Sequence, residues 1–313
     1  MHSGSQPALF IVFNPGSGCQ DKDQARRDIE EALAAAGRTC EFILVKDRNV
    51  RAACHEAARR ARAAGGAIVA VGGDGTLNAA AQAALAEDCL LGVIPQGTFN
   101  LFAREHGIPL EAPAAAQALA RAQPTEVQVG SVNQQLFVVN ASLGLYPKLL
   151  ADREEAKRKL GRKRWVAALA GLKTFFQWRH RLILDAEVDG QPVRLVTASL
   201  FVGNNRLQLD TLLLGDEVVS RVTQGWLGAI SAPPLGWAAK LRVLWDALRG
   251  RLDLAPKVET FAFRSLTVST RHARKLRVSV DGEVCWMELP LRITVAPRRL
   301  KVLLPVEHAA AES

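Results

Sequence analysis

The chain has no apolar run of the roughly 18–20 residues that a membrane-spanning helix requires. Its first apolar stretch, "ALFIVF", lacks the basic flank and small-residue cleavage site of a secretion signal. There is no CxxC pair and no His/Cys cluster at zinc spacing. The five cysteines, Cys19, Cys40, Cys54, Cys89 and Cys285, are scattered and read as reduced thiols, not as a disulfide frame or a metal site. Internal repeats and low-complexity linkers are also missing. Together these absences argue against a helical membrane spanner, a disulfide-stapled secreted domain, a zinc module and a repeat array. The expectation is a cytoplasmic or peripherally membrane-associated protein.

What is present is a chain of 313 residues, 49% hydrophobic, long enough for two cores because single cores stop growing near about 250–300 residues. Up to about Pro124 short apolar strands alternate with helical segments: "ALFIVF", a helix from about Asp21, "CEFILVK", a helix from about Val50, "AIVAV", a helix from Thr76, then "LLGVIP". This alternation predicts an α/β domain, a doubly wound parallel sheet covered on both faces. After about Thr125 the strand-like stretches lengthen ("QLFVVNASLGLY", "VRLVTASLFVGN", "LRVSV", "LRITVAP") and Asp-Gly turns occur at Asp189-Gly190 and Asp281-Gly282. That texture predicts a mostly antiparallel β-sandwich, with helical insertions at about Lys148–Trp178 and Leu235–Leu248.

The stretch "AIVAVGGDGTLNAAAQAAL" is a strand, a glycine turn and an alanine-rich helix. No Gly-Lys-Ser/Thr follows "NPGSG", which excludes a P-loop, and Asn78 stands where a Rossmann fingerprint has its third glycine. In a parallel α/β sheet ligands sit outside the carboxyl ends of the strands, facing backbone amides and helix N-termini. There the amides of Gly72, Gly73 and Gly75 can approach a phosphate closely, Thr76 can cap the helix or bind an oxygen, and Asp74 offers a carboxylate to nucleotide-bound Mg²⁺. The plainer alternative is a tight turn whose glycines serve only backbone shape. Two companion loops, "FNPGSG" after the first strand and "IPQGTFN" after the fourth, bring three polar glycine loops to one sheet edge and favour a phosphate site.

The motifs "NPGSG", "GGDGTLN", "GTFN" followed by "FAREHGIP", "NASLGLYPKLLADRE", "GNN" and "VDGEV" occur in an order that resembles the diacylglycerol kinase-like lipid kinases, from about Leu9 to Pro305. The resemblance implies ATP-dependent phosphorylation of a lipid hydroxyl, diacylglycerol or a related lipid, with ATP held between an α/β domain (1–127) and a β-sandwich domain (128–313). It also implies that the C-terminal segment 292–305 returns to the first domain. Gly72, Gly73, Asp74, Gly75, Thr76 and Asn78 would cradle the phosphates. Asn14, Gly97, Thr98 and Asn100 would help bind the nucleotide, and Asp281 with Glu283 would carry the acid–base role. Asp189-Gly190 has the same hairpin signal without the following glutamate, so only the family register favours Asp281. An NAD kinase has a similar "GGDGT" loop, and a nucleotide-binding membrane adaptor without turnover is a third reading.

The chain departs from the family pattern in its acids. Leu101 stands where many members have an aspartate after "GTxN", Gln128 replaces an aspartate in the strand joining the domains, and "VTQGWLG" puts Thr223 and Gln224 where a structural Mg²⁺ site has acids. Mg²⁺ requires hard anionic oxygens, so that structural site is not expected, whereas Mg²⁺ arriving with ATP near Asp74 is. The net charge is +9, and between Lys148 and Arg181 eleven Lys/Arg face only Asp152, Glu154 and Glu155. With the apolar "WVAALAGLKTFFQW" following, this suits an anionic membrane surface. The second insertion places Trp237, Leu241, Leu244, Trp245 and Leu248 on one helical face. No base-stacking motif accompanies the charge, so no nucleic-acid partner is expected.

Overall fold

A computed structural model describes residues 7–14, 22–45, 49–148, 181–211, 216–248 and 258–306. In chain order the elements are β1 Leu9–Phe13, α1 Lys22–Ala35, β2 Cys40–Ile43, α2 Val50–Ala63, β3 Ala67–Gly72, α3 Asp74–Glu87, β4 Leu90–Pro95, α4 Leu101–Glu105, α5 Ala112–Ala120 and β5 Gln123–Val127. They continue with β6 Gly130–Val132, β7 Gln135–Phe137, β8 Asn140–Gly144, β9 Leu182–Val188, β10 Gln191–Thr197, β11 Ser199–Gly203, α6 Arg206–Thr211, α7 Asp216–Thr223, β12 Leu227–Ala232 and α8 Trp237–Leu248. The last are β13 Glu259–Phe263, β14 Ser265–Ser269, β15 Lys275–Val280, β16 Glu283–Glu288, β17 Leu291–Val295 and β18 Leu300–Leu304. The chain divides into two compact units, Met1–Val129 with Ala296–Ser313, and Gly130–Val295.

In the first unit one sheet runs in the order β2-β1-β3-β4-β18-β5. Its strand β3, "AIVAVG", is buried along its whole length and β1 and β4 at all but one residue each, because helices cover both faces of a parallel sheet. Alanine makes that cover close: Ala57, Ala58 and Ala61 of α2 and Ala80, Ala81, Ala83 and Ala84 of α3 are fully buried. Asn49 starts α2 by accepting the Ala52 N–H at 3.0 Å, a side-chain cap for an otherwise orphaned donor. β1 pairs in parallel with β2 on one side and β3 on the other, so the order reverses between β1 and β3, where such sheets open a crevice.

Two details depart from the sequence reading. The sheet is mixed, since β18 lies parallel to β4 while β5 runs antiparallel to β18 at the edge. The strand that departs is β5, which the chain reaches from β4 through α4 and α5, whereas the returning β18 keeps the parallel direction and separates the two. The returning segment also begins later than residue 292, because β17 pairs with β14 and β6 of the second unit.

The second unit stacks two antiparallel sheets, β10-β9-β14-β17-β6-β7 and β13-β12-β11-β8-β15-β16. Leu184, Leu266, Val268, Leu291 and Ile293 of the first sheet meet Leu143, Leu200, Val202, Phe263 and Val278 of the second in one core. Helices α6 and α7 cover part of the second sheet's other face, where Leu209, Val218 and Val222 pack against Phe201 and Ile230.

The stretches read as single strands are each broken in two. "QLFVVNASLGLY" leaves one sheet as β7 and enters the other as β8 after Val138 and Val139. "VRLVTASLFVGN" does the same as β10 and β11 around Ala198. At the second corner Thr197 Oγ1 donates to both Ser199 O and Ala232 O at 2.8 Å, supplying locally the bonds that a straight ladder would have made.

Candidate functional site

The carboxyl end of the first unit's sheet is where the glycine loops collect. β3 ends at Gly72, and α3 begins at Asp74 with Gly73 as its N-cap residue and no side-chain cap bond. A helix opened this way presents the positive end of its dipole at its start, with Thr76 N–H turned back to Gly73 O at 3.0 Å. Thr76 is buried and accepts a hydrogen bond from Asn14 Nδ2 at 2.9 Å, and Asn14 N–H donates to Val71 O at 3.1 Å. The loops after β1 and β3 are thereby joined at the switch point of the sheet. A Cβ on Gly72 would lie 2.6 Å from Thr76 Oγ1, so this glycine is required by the Thr76 hydroxyl that folds over it.

The loop after β4 meets the same place. Gln96 N–H donates to Gly72 O at 2.8 Å, and a Cβ on Gly97 would stand 2.8 Å from Gly73 Cα, so the two glycines cross at backbone contact. Asn100, in the left-handed region at φ +49, closes the loop on itself. Its Oδ1 accepts Gly97 N–H and its Nδ2 donates to Gly97 O, both at 2.9 Å. Burial pushes the Asp74 carboxyl above its ordinary value, and the bonds from its own N–H and that of Asn100 oppose the rise.

Asn14, Gly72, Gly73, Asp74, Gly75, Thr76, Gly97 and Asn100 therefore gather at one edge. Thr98 is exposed there beside Phe99, which is 57% exposed. Asn78 lies one turn into α3, buried, with its Oδ1 accepting from Gln82 at 2.7 Å. The sequence missed that the Asn100 side chain is spent on its own loop. The signal was present in the requirement for φ > 0 between two turns, which asparagine meets more easily than most residues.

Asp281 and Glu283 belong to the second unit. Asp281 and Gly282 both have positive φ, +45 and +86, the two-residue turn that matches the twist of paired strands. Asp281 is 8% exposed. Its Oδ2 accepts Val138 N–H at 2.8 Å, and its Oδ1 accepts Val139 and Asn140 N–H at 2.9 Å each. Three of the roughly four acceptor positions of a carboxylate thus hold the corner between β7 and β8. Glu283, two residues on, is exposed.

As for the replaced acids, Leu101 and Gln128 are half-buried while Thr223 and Gln224 are exposed. Among the described residues no group of three or more His, Cys, Asp or Glu is arranged to hold a metal ion. Burial pushes the Cys54 thiol up to about 12, which keeps it from acting as a nucleophile at neutral pH. The basic insertion lies outside the described residues except at its ends, as do the side chains of the second insertion beyond Arg242. Trp237 and Leu241 on α8 are 62% and 45% exposed.

The family described as the diacylglycerol kinase catalytic domain matches residues 8–132. A Bacillus subtilis protein named diacylglycerol kinase is 31% identical, over 96% of this chain and 97% of its own length. A Pseudomonas aeruginosa protein named probable lipid kinase YegS-like is also 31% identical, over 97% of this chain and 86% of its own. The solved structure of a diacylglycerol kinase from Bacillus anthracis str. Sterne superimposes with a TM-score of 0.68 at 22% identity, covering 96% of this chain and 98% of that one.

Proposed function

This chain belongs to the lipid kinase family that includes the diacylglycerol kinases, and it is a kinase. From that premise we propose that it moves the γ-phosphoryl group of ATP to the hydroxyl of a neutral lipid, diacylglycerol or a close relative. The observation that carries the ATP half is the crossing of Gly73 and Gly97 beside the uncapped start of α3. Bare backbone there meets the positive end of a helix dipole, which suits polyphosphate oxygens.

The Asp74 carboxylate stands at this edge, and Mg²⁺ is commonly held by one or two carboxylates together with substrate phosphates. Mg²⁺ bound with ATP would neutralise phosphate charge as transfer proceeds. Asn14 and Thr76 hold the loops after β1 and β3 together, and Asn100 holds the third loop. Asp281 with Glu283 carries the acid–base role, taking the proton of the attacking lipid hydroxyl. The named relatives support a lipid acceptor over NAD. Exposed Trp237 and Leu241, one turn apart on α8, support contact with an anionic membrane.

Asp74→Asn tests the phosphate site with two readouts. Phosphoryl transfer to diacylglycerol in mixed micelles should fall at least about 10²-fold, as for loss of a preorganised charged group. Stability should move the other way at neutral pH. A carboxyl whose value is raised in the fold favours folding at low pH, and that contribution disappears as pH rises through the raised value, leaving a buried charge. The Asn variant should then melt no lower than wild type at pH 7 without nucleotide. Wild-type turnover in Asp74→Asn would refute the site.

The replacement of acids at Leu101, Gln128, Thr223 and Gln224 favours a second reading, nucleotide binding with little turnover. ATP binding by calorimetry with no labelled product from a total lipid extract would establish it.

A further inference from the structure

The face of the second sheet turned away from the sandwich core carries polar groups with no role so far. Side chains alternate along a strand, and Ala141 and Leu143 of β8 enter the core, so Asn140 and Ser142 point to the opposite face. Ser142 is paired directly with Ser279 of β15, which puts both hydroxyls on that face with Cβ atoms about 4.5–5.5 Å apart. All three residues are buried, at 6%, 1% and 0% exposure. Asn140 Oδ1, Ser142 Oγ and Ser279 Oγ nevertheless have no hydrogen-bond partner among the described residues, although Asn140 Nδ2 donates to Gln208 Oε1 at 3.0 Å.

Buried polar atoms are almost always paired, and an unpaired one is costly. Three at adjacent positions of one sheet face call for a partner that the described chain does not supply. Their chemistry defines it. The amide oxygen only accepts, whereas each hydroxyl both donates and accepts, and none is charged. A neutral hydroxyl fits, donating to Asn140 Oδ1 and accepting from a serine, with an ester carbonyl to take the other serine's proton. A fully ionised phosphate or carboxylate has no proton for Asn140 Oδ1. The cluster also adjoins the proposed acid–base segment: Asp281 N–H donates to Asn140 O at 2.9 Å, its Oδ1 accepts Asn140 N–H at 2.9 Å, and Ser279 precedes it by two residues on β15.

We propose that Asn140, Ser142 and Ser279 recognise the hydroxyl-bearing headgroup of a neutral lipid. The inference rests on the lipid kinase reading and gives it an acceptor subsite.

The test uses the full-length protein, dioctanoylglycerol in mixed micelles and saturating Mg-ATP, with Ser142→Ala, Ser279→Ala and the double variant. Each single change should raise the KM for dioctanoylglycerol roughly 3–10-fold, the worth of one hydrogen bond, and leave the KM for ATP unchanged. Without lipid the variants should melt at or above the wild-type temperature, because they remove an unpaired buried group. Dioctanoylglycerol should raise the melting temperature of wild type but not of the double variant, and its 3-O-methyl ether, which has no hydroxyl to donate, should raise neither. An unchanged lipid KM together with a lowered melting temperature would mean that the hydroxyls hold internal water, and would overturn the proposal. Wild-type protein that shows the hydroxyl-dependent thermal shift yet transfers no phosphate would uphold the subsite and refute the kinase reading. Loss of both signals in wild type would refute both.

Discussion

Two Asp-Gly turns in the sandwich unit do the same structural work at different depths. Asp189-Gly190 joins β9 to β10 and Asp281-Gly282 joins β15 to β16, with φ of +48 and +84 in the first and +45 and +86 in the second. Asp189 N–H donates to Ser265 O at 2.8 Å and Asp281 N–H to Asn140 O at 2.9 Å. The Asp189 carboxylate accepts the amides of Arg264 and Ser265, and that of Asp281 accepts those of Val138, Val139 and Asn140. In each case these amides lie where a strand leaves one sheet for the other, β13 for β14 and β7 for β8. A strand that changes sheets drops its ladder bonds at the corner, and a carboxylate from the neighbouring hairpin replaces them. What differs is burial: Asp189 is exposed, while Asp281 is buried beside Asn140 Oδ1 and Ser279 Oγ, which have no partner among the described residues. A motif that reads as catalytic by family register therefore has a full structural reason to exist as well.

The largest expected effect separates these roles. If Asp281 accepts the lipid proton, Asp281→Asn should lower turnover about 10²–10⁴-fold with little change in the KM for ATP, measured well below the melting temperature of the variant. A loss no larger than that of Asp189→Asn would reduce Asp281 to a corner brace and shift the acid–base role to Glu283. Glu283→Gln sharpens this, because Glu283 is exposed and its replacement should leave stability within about 0.5 kcal/mol, so any fall in turnover reports chemistry.

Stability gives the next largest effect. Asp281→Ala strands three buried amides at once and should cost about 3–5 kcal/mol in chemical denaturation. Asp189→Ala strands two amides that water can reach, so about 0.5–1.5 kcal/mol is expected with turnover unchanged. Similar losses from the two alanine variants would erase the difference in depth on which the comparison depends.

The sequence made the α/β alternation, the glycine loops and both hairpin turns legible, since each depends on residues within a few positions of one another. "AIVAVGGDGT" announces a buried strand, a bare turn and a helix start without help from the rest of the chain, and "RRLKVLLP" stands out as a strand far from the domain that it completes as β18. The broken strands were not legible. "QLFVVNASLGLY" has the pattern of one strand, and the group that bends it comes from Asp281, 141 to 143 positions away. Nor does "GTFN" disclose that Asn100 turns its side chain back on Gly97, or that Gly97 is glycine because Gly73 presses on it.

Local preference and periodicity, set by sterics and by the apolar spacing of neighbouring residues, were enough to determine the classes of element and the turns that carry phosphate-binding backbone. The tertiary structure decided which glycines touch, which amides lose their ladder partners at the sheet corners, and that Asn140, Ser142 and Ser279 share one buried face. Those outcomes depend on strands from distant parts of the chain pairing in one register. A shift of one residue in that register would turn the polar side chains into the core and the core side chains out.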